Sequence, residues 1–469
     1  MSAAGIAART TAIPGLLVFN LPVHGDARGW FKENWQREKM TALGLPDFQP
    51  VQNNMSFNAG KGATRGLHAE PWDKLVGLAK GRVLGAWVDL RAGDTFGRTV
   101  SLEFGVDTVV FVPRGVANGY QALEADTVYS YLVNDHWSPE ALSEYTYLNL
   151  ADETAAIEWP IPLAEATISA ADAAHPRLAD VVPMPPRRTL IIGAGGQLGR
   201  ALQAIFPDAD AVDYPEFDVT DAAAVAAFEW RRYGTVINAA AYTAVDAAES
   251  HEGRARCWAV NVTALTGLAE AARSHGATLV HISSDYVFDG VRSEHTEDEP
   301  LSPLGVYGQT KAAGDALMSL VPRHYLVRTS WVVGDGANFV RTMASLAERG
   351  VRPAVVADQF GRLTFASDLA AAIKHLVETG APFGTYNVTC DGPALTWHDI
   401  AQRVFDLTGH AASDVSPTTT EAYGAGKVLA PRPRHSTLTL DKIKAAGFTP
   451  PSTDNALTAY LAAQPATAS

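Results

Sequence analysis

The chain has few of the residues that stabilise secreted, membrane-spanning or metal-binding proteins. It holds two cysteines, Cys257 and Cys390, which are too few for a disulfide framework and show no metal-ligand spacing. No apolar run reaches the ~18 residues that a membrane span requires. The first residues, MSAAGIAARTTAIPG, lack a basic segment followed by an apolar core. We therefore expect no secretory leader and a cytoplasmic location.

The charge pattern also excludes a class of partner. The formal net charge is −14, charged residues make up 19% of the chain, and no acidic or basic tail stands out. A polyanion such as nucleic acid is therefore not expected to bind. A small anionic ligand needs only local cations or backbone N–H groups, so that class of ligand stays open.

A proline-rich stretch at residues 176–188, PRLADVVPMPPRR, divides the chain into two patterns. Before it, short β-branched and aromatic segments are punctuated by Gly, Asp and Pro, which is typical of a sandwich or barrel. After it, apolar runs alternate with Ala-rich helical stretches, which is the βαβ pattern. We predict two domains, an all-β cupin-like jelly roll at 1–182 and an α/β Rossmann-type domain at 187–469. The latter has a doubly wound parallel sheet and a small substrate lobe at 381–461.

The segment VLGAWVDL (83–90) alternates in the manner of a half-buried strand. Such alternation places successive side chains on opposite faces of a sheet. We predict that one set faces the core, namely Leu84, Ala86, Val88 and Leu90. We predict that the other set faces a ligand cavity or solvent, namely Val83, Gly85, Trp87 and Asp89.

Three glycines open the second part of the chain. Gly193, Gly196 and Gly199 follow the apolar run TLIIG and begin a helical stretch. A turn that brings backbone N–H groups close to a pyrophosphate excludes side chains, so this spacing predicts a dinucleotide site. Asp213 follows the next strand, where a carboxylate binds ribose hydroxyls and repels a 2′-phosphate. NADH or NADPH is the predicted cofactor, and Asp213 favours NADH.

A phenol and an ammonium group share one helix face in YGQTK (307–311), because Tyr307 and Lys311 are four residues apart. We expect Lys311 to lower the pKa of Tyr307 toward neutrality and make it a usable proton donor. Ser284 ends an apolar strand upstream and can polarise a carbonyl group. A glycine turn, a strand-end serine and Y-x-x-x-K, in this order, are the layout of extended short-chain dehydrogenases/reductases.

Longer motifs sharpen this similarity. The segments NAAAYTAVDAAE (238–249), ISSDYVF (282–288), VYGQTK (306–311), RTSWV (328–332), DQFGRLT (358–364) and RPRHSTL (432–438) resemble those of dTDP-4-dehydrorhamnose reductase. The resemblance implies hydride transfer to the 4-keto group of a dTDP-6-deoxyhexose, with Ser284 and Tyr307 on the keto oxygen and Lys311 supporting Tyr307. It implies a cofactor site at Gly193, Gly196, Gln197, Leu198, Gly199, Asp213, Asp218, Ala239, Ala240, Tyr307 and Lys311. It places Trp331, Gln359 and Arg434 on the substrate side.

The first part resembles another family, dTDP-4-dehydrorhamnose 3,5-epimerase. The matching segments are GDARGWFKE (25–33), PVQNNMS (50–56), TRGLHAE (64–70), KLV (74–76), PRGVANGY (113–120), VYSYLV (128–133) and IEWP (157–160). The resemblance implies that His68 removes a proton beside a ketone and that Asp172 orients it. Lys74 stabilises the enolate oxygen and Tyr131 returns a proton on the opposite face. The implied nucleotide-sugar pocket contains Arg28, Glu33, Gln52, Asn54, Arg65 and Asn118.

The chain departs from these families at several positions. Asn118 replaces the histidine of the epimerase motif A-H-G-F, and the connection from His68 to Lys74 is shorter than usual. Single epimerisation at one carbon therefore stays open. His68, Asn118 and His136 lack a clustered H-x-H pattern, and Ala201 stands where some reductases use a glutamate to bind Mg²⁺. We predict no metal.

The two resemblances together imply a bifunctional enzyme. It would epimerise dTDP-4-dehydro-6-deoxy-D-glucose at carbons 3 and 5, and then reduce dTDP-4-dehydro-L-rhamnose at carbon 4 with NADH or NADPH. We expect a homodimer built on the N-terminal domain. Two alternatives stay open: a ketoreductase whose N-terminal domain only binds sugar nucleotides or inverts a single carbon, and a cofactor-sensing regulatory subunit.

Overall fold

The computed structural model describes residues 5–463. Outside these described residues lie residues 1–4 and residues 464–469. The expectation that the chain begins with no secretory leader falls partly on residues 1–4. The chain forms two compact units, of which unit 1 ends at Pro186 and unit 2 begins at Arg187. Within residues 5–463, no helix combines the length and the apolar character that crossing a membrane requires.

Unit 1 is built mainly from antiparallel strands. They are β1 (Ala7–Thr10), β2 (Leu17–Asn20), β3 (His24–Asp26), β4 (Gly29–Phe31), β5 (Gln52–Asn58), β6 (Thr64–Ala69), β7 (Lys74–Lys80), β8 (Val83–Asp89), β9 (Thr99–Phe104), β10 (Thr108–Val112), β11 (Val116–Ala122), β12 (Thr127–Val133) and β13 (Thr146–Tyr147). One sheet has the order β1-β2-β10-β7-β12-β5, the other has the order β13-β6-β11-β8-β9, and β3 pairs with β4. Unit 1 also contains two short α-helices, α1 (Arg37–Thr41) and α2 (Ala170–Ala173), and 3-10 helices at Glu140–Glu144 and Leu178–Asp180.

Strand β8 is buried on both of its faces. Trp87 packs between the two sheets with Val76 of β7 and Val110 of β10. Val88 lies in a second cluster, which the segment around Leu148 covers. The prediction that Leu84, Ala86, Val88 and Leu90 face a core is confirmed. The prediction that Val83, Gly85, Trp87 and Asp89 face a cavity or solvent is wrong, because every residue of β8 is buried. Val83 and Trp87 pack against the other sheet. The Asp89 carboxylate accepts a hydrogen bond from Arg91.

Unit 2 contains a parallel sheet. Its strands are β14 (Arg188–Ile192), β15 (Asp210–Val212), β16 (Tyr233–Asn238), β17 (Thr278–Ser284), β18 (His324–Thr329) and β23 (Gly384–Asn387), in the order β15-β14-β16-β17-β18-β23. Shorter pairs are formed by β19 (Val332–Val333) with β22 (Thr364–Phe365), by β20 (Ala354–Val356) with β25 (Ser416–Thr418), and by β21 (Phe360–Gly361) with β24 (Leu395–Thr396).

Helices cover both faces of this sheet. They are α3 (Gln197–Ile205), α4 (Ala222–Ala227), α5 (His251–Trp258), α6 (Ala264–Ser274), α7 (Val306–Met318), α8 (Phe339–Glu348), α9 (Ala366–Thr379), α10 (Trp397–Leu407), α11 (Thr420–Gly424), α12 (Asp441–Ala445) and α13 (Thr453–Ala462). Neighbouring residues of β14 show the two faces, since Ile191 packs against α3 and α9 whereas Leu190 packs against α6.

A third cluster of unit 2 lies among α8, α10 and α13, where Val340, Phe405 and Leu457 pack together. The predicted lobe at 381–461 differs from this arrangement at its start. Strand β23 hydrogen-bonds β18 and therefore belongs to the main sheet. The sequence pattern missed this because a four-residue strand carries little periodicity.

The glycine-rich turn between β14 and α3 generates a stability prediction. A Cβ added at Gly199 would stand 2.1 Å from the carbonyl oxygen of Gly193, whereas one added at Gly196 would stand 3.4 Å from the same atom. We expect Gly199→Ala to lower the free energy of unfolding of unit 2 by about 3 kcal/mol, because backbone must move. Gly196→Ala is the matched control, and chemical denaturation of the full chain measures both. Equal effects of the two substitutions would contradict this reading of the turn.

Candidate active sites

A cavity of about 570 Å³ in unit 1 brings together residues that lie far apart in the sequence. Its walls come from β6, β7, β11, β12 and the segment that carries α2. Six of the predicted residues line it, namely Arg65, His68, Lys74, Asn118, Tyr131 and Asp172. The antiparallel register explains part of this grouping, because His68 of β6 lies directly opposite Asn118 of β11.

His68 and Asp172 form a hydrogen-bonded pair in this cavity. The His68 Nε2 atom lies 2.8 Å from Asp172 Oδ1, and the Gly66 amide donates to Asp172 Oδ2 at 3.4 Å. Ser169 caps α2 and so fixes the turn that presents Asp172. Burial raises the pKa of Asp172, but the hydrogen bonds and the charge of His68 outweigh it and leave the pKa below its ordinary value. This carboxylate can therefore orient His68 and stabilise its protonated form.

A second histidine, which the sequence patterns did not single out, lies beside this pair. The His175 Nε2 atom is 3.3 Å from the same oxygen of Asp172, and the His175 ring stacks on Tyr147 with a centroid distance of 4.6 Å. Burial, followed by the charge of His68, lowers the pKa of His175. The ligand atoms of His68, Asp172 and His175 lie within 4.8 Å of one another, a spacing that a metal ion could also use. The absence of a metal stays a prediction.

Lys74 is held by a buried carboxylate. Its Nζ atom lies 2.5 Å from Glu70 Oε1, while Glu70 Oε2 accepts a hydrogen bond from Trp72 Nε1 at 2.5 Å. The ammonium group also lies 5.7 Å from the centre of the Tyr131 ring. Burial, followed by the charge of Glu70, raises the pKa of Tyr131 to about 12. The phenol of Tyr131 thus stays protonated near neutral pH.

The other predicted residues of unit 1 lie at or beyond the edge of this cavity. Asn54 hydrogen-bonds Tyr131 and accepts from Gln52 Nε2 at 2.8 Å. Gln52 Oε1 accepts from the Trp137 amide. Arg28 and Glu33 form exposed ion pairs with Asp26 and Lys39, and they do not line the cavity. Their role in binding a nucleotide sugar stays a prediction.

In unit 2, the glycine-rich turn borders a cavity of about 290 Å³. It is lined by predicted residues, namely Gly193, Gly196, Asp213, Asp218, Ala239 and Ala240. A Cβ at Gly193 would stand 2.5 Å from the Ala240 amide nitrogen, so the strands approach too closely for a side chain. Asp213 Oδ2 accepts from the Gly195 amide at 2.5 Å, which ties the carboxylate to the turn.

Three further predicted cofactor residues form the first turn of α3. Leu198 and Gly199 are buried, and Leu198 packs into the core of unit 2. The Gln197 side chain donates to the Ala337 carbonyl at 3.3 Å. These three residues are not among those that line the cavity, and Leu198 and Gly199 pack inside unit 2.

Tyr307, Lys311 and Ser284 meet where α7 crosses the end of β17. Ser284 hydrogen-bonds Tyr307 and donates to Asp285 Oδ1 at 2.9 Å. Lys311 Nζ donates to the Ile282 carbonyl at 2.6 Å and lies 3.4 Å from His281 Nε2. All of these side chains are buried.

The expectation that Lys311 lowers the pKa of Tyr307 toward neutrality is wrong in this structure. Burial raises the pKa of Tyr307 above its ordinary value, and the carboxyl group of Asp285 adds to this effect. Burial also lowers the pKa of Lys311 to about 8. The ammonium group is directed to the Ile282 carbonyl, so its charge does not offset the desolvation of the phenol.

Asp285 and His281 also belong to this centre, although sequence reasoning assigned them no role. Burial raises the pKa of Asp285 to about 6, despite hydrogen bonds from Ser436 and Ser284. Burial lowers the pKa of His281 well below its ordinary value, and its Nδ1 atom lies 3.1 Å from Asn238 Nδ2. The position of Asp285 next to Ser284 within the motif ISSDYVF could have indicated a role in this centre.

The predicted substrate-side residues of unit 2 differ in exposure. The Trp331 ring is half-buried and stacks on Trp397. Gln359 is buried, and its side chain hydrogen-bonds Trp397 and Thr420. Arg434 is exposed, and its carbonyl accepts from the Phe360 amide at 2.8 Å.

Two family profiles match the chain, one for each unit. The profile described as dTDP-4-dehydrorhamnose 3,5-epimerase matches residues 10–180. The profile described as RmlD substrate binding domain matches residues 187–465.

Individual proteins show the same division. A protein named RmlC homolog from Streptococcus pyogenes serotype M6 is 51% identical over 180 residues, which cover 37% of this chain and 90% of that protein. A dTDP-4-dehydrorhamnose reductase from Aggregatibacter actinomycetemcomitans is 39% identical over 281 residues, which cover 56% of this chain and 95% of that protein.

A solved structure matches the second unit. It is a dTDP-4-dehydrorhamnose reductase from Bacillus anthracis in complex with NADP, with 32% identity and a TM-score of 0.55. The match covers 59% of this chain and 99% of that structure. The chain therefore belongs to the dTDP-4-dehydrorhamnose 3,5-epimerase family in its first unit and to the RmlD family of dTDP-4-dehydrorhamnose reductases in its second.

Proposed function

We propose that the chain is a bifunctional enzyme of dTDP-L-rhamnose synthesis. The first unit epimerises dTDP-4-dehydro-6-deoxy-D-glucose at carbons 3 and 5, and the second reduces the resulting dTDP-4-dehydro-L-rhamnose at carbon 4. The observation that carries this proposal is that each unit gathers a complete acid–base set in one place. His68, Asp172, Lys74 and Tyr131 form the first, and Ser284, Tyr307 and Lys311 form the second.

In the epimerase site, His68 is the base that removes the proton beside the keto group. The carboxylate of Asp172, 2.8 Å away, stabilises the imidazolium that forms. Lys74 faces the keto oxygen, where its positive charge stabilises the enolate. Tyr131 stays protonated because its pKa is about 12, so it can return a proton to carbon.

The number of carbons inverted depends on the pocket around Asn118. Asn118 Oδ1 accepts a hydrogen bond from the Tyr129 hydroxyl at 3.1 Å, which leaves the Asn118 amide group free to donate toward the cavity. A neutral donor can hold a sugar hydroxyl as the family's histidine would. This supports double inversion, and single inversion is the alternative outcome of the test below.

In the reductase site, the residues present fit a nicotinamide dinucleotide. The glycine-rich turn leaves no room for a Cβ at Gly193 or Gly199, which lets backbone N–H groups approach a pyrophosphate. NADH or NADPH supplies the hydride when it is bound, and Asp213 favours NADH. Ser284 and Tyr307 hold the keto oxygen, and Tyr307 donates the proton to it. Retention of this proton donor argues against a purely cofactor-sensing subunit.

The finer architecture follows from these roles. We assign the epimerase domain to residues 1–182, as a cupin-like jelly roll whose two antiparallel sheets enclose the epimerase cavity. Unit 2, assigned to residues 187–469, is the reductase domain, and its third core cluster forms the small substrate lobe.

The epimerase unit also supports a homodimer. Strand β5 lies at the edge of its sheet, and its outward face presents Met55 and Phe57, which are 68% and 60% exposed. Exposed apolar side chains on an edge strand favour pairing with a second copy.

Two substitutions separate the two activities. We expect His68→Asn to reduce deuterium incorporation at carbons 3 and 5 about a thousandfold, because no base remains. Tyr307→Phe is the matched partner, which should abolish NADH oxidation yet leave deuterium exchange intact. NMR of the sugar in heavy water measures both. Unchanged product formation by His68→Asn would make unit 1 a binding module, and deuterium at a single carbon in the wild type would mean single epimerisation.

The pKa of Lys311 sets an expected pH limit for reduction. Since this pKa is about 8, the ammonium group loses its charge as the pH rises through 8. We expect the reduction rate to fall there, because the negative charge that develops on the keto oxygen then loses the field of a buried cation. In Lys311→Arg, the pH at which the reduction rate falls should rise by at least about one pH unit, because arginine stays charged. An excess of the Tyr307→Phe chain supplies epimerised substrate throughout, so only reduction is measured. If the reduction rate of Lys311→Arg falls at the same pH as that of the wild type, the fall is caused by the titration of another group.

The homodimer is tested by charge on β5. We expect Met55→Glu to raise the dimer dissociation constant at least about a hundredfold, because a buried carboxylate would oppose its copy. Val428→Glu, at an apolar position of unit 2 that is 88% exposed, is the control and should change nothing. Sedimentation velocity over a concentration series measures both variants. A monomeric wild type, or a dimer that Met55→Glu leaves intact, would contradict this interface.

A further inference from the structure

Two tryptophans from distant parts of unit 2 form a stacked pair. The ring centroids of Trp331 and Trp397 are 3.8 Å apart, and the planes differ by 19°. Trp331 follows β18, whereas Trp397 begins α10. The tryptophan pair, meaning these two side chains, stays half-exposed although it packs against the third core cluster.

The sheet register places this pair beside the reductase centre. Thr329, the last residue of β18, lies directly opposite Ser284, the last residue of β17. Trp331 follows Thr329 by two residues at the same end of the parallel sheet. Trp331 therefore leaves the sheet at the edge that carries Ser284.

The backbone of Trp331 is held in an unfavourable conformation. Its φ is +44°, in the left-handed region that bulky side chains avoid. Such a conformation persists only where the surroundings over-determine it, and it is common at ligand sites. Two contacts hold the Trp331 ring in place. The Trp397 ring stacks on one of its faces, and Gly361 lies so close that an added Cβ would stand 2.8 Å from the Trp331 ring.

Trp397 is in turn fixed by Gln359. The Trp397 Nε1 atom donates to Gln359 Oε1 at 3.3 Å, and Gln359 Nε2 donates to Thr420 Oγ1 at 3.0 Å. Thr420 Oγ1 donates to Asp358 at 2.6 Å. Both polar ends of the Gln359 side chain are therefore engaged within the protein, and the residue is 8% exposed. It is poorly placed to bind a sugar directly.

We propose that Trp397 is a positioning residue of the ketoreductase, which holds Trp331 as an aromatic surface for the deoxyhexose, and that Gln359 acts through Trp397. The proposal rests on the proposed reductase function. An indole ring offers a rigid apolar face that suits the C–H groups and the methyl group of a 6-deoxy sugar. Removal of Trp397 takes away the ring on which Trp331 stacks, so the Trp331 ring can leave its position and sugar binding weakens more than the chemical step.

The test uses the full chain with Trp397→Ala, Trp397→Phe, Gln359→Leu and the double variant Trp397→Ala/Gln359→Leu. The Tyr307→Phe chain in excess supplies epimerised substrate. We expect Trp397→Ala to raise the KM for the sugar nucleotide about tenfold, with kcat changed by less than about threefold. Trp397→Phe keeps an aromatic face and should stay within about threefold of the wild-type KM.

The double variant decides the role of Gln359. If Gln359 acts through Trp397, the KM of the double variant equals that of Trp397→Ala; if Gln359 binds the sugar itself, the two effects multiply. Far-UV circular dichroism reports the stacking directly, since the wild type minus Trp397→Ala difference should show a two-signed exciton band. NADH affinity, which depends on the glycine-rich turn, should be unchanged and so shows that unit 2 is folded.

The outcomes are separable. An unchanged KM in Trp397→Ala with wild-type turnover, or loss of NADH binding by Trp397→Ala, would overturn the positioning role alone. A wild type that oxidises no NADH with the sugar would overturn the reductase function and this proposal with it.

Discussion

Desolvation of ionisable side chains is the constraint on which both catalytic centres depend. Burial raises the pKa of Tyr131 to about 12 and also raises that of Tyr307. A phenol that is so hard to ionise remains an acid at neutral pH. The two units have unrelated folds, yet in each the tyrosine that we propose as the proton donor is kept protonated in the same way, by its removal from water.

Burial of charge requires partners, and these partners shape both sites. Glu70 meets the ammonium group of Lys74, and Asp172 meets His68. In unit 2, where Lys311 has a carbonyl group as its close partner, the pKa of the lysine falls to about 8 instead. An unpaired buried charge costs several kcal/mol, so a chain that keeps a cation in a dry pocket must either pair it or let its pKa shift.

The fold class and the core of the reductase site could be predicted from local sequence, whereas the epimerase residues were identified only through the resemblance to that family. The glycine spacing indicates a close approach of the backbone, and the motif Y-x-x-x-K indicates one face of a helix. Both are short-range properties of the chain. The glycines of the turn border one cavity, and Tyr307 contacts Ser284, as expected. Glu70, His175 and Trp397 were missed because their roles arise from contacts that no local spacing encodes. The alternation of β8 led to a wrong prediction for a related reason. A strand that is covered on both faces buries all of its side chains, and the sequence of the strand does not show what covers it. The direction of the Tyr307 pKa shift also depends on burial, which the i, i+4 spacing does not show.

The buried carboxyl group of Asp285 and the ammonium group of Lys311 carry opposite charges only over a limited range of pH. The pKa of Asp285, about 6, and that of Lys311, about 8, bracket a span in which one carries a negative and the other a positive charge. Below this span the two groups together carry a net positive charge, and above it a net negative one. Hydride transfer brings negative charge to the same place, so the acidity of the surrounding solution sets the electrostatic field into which that charge arrives.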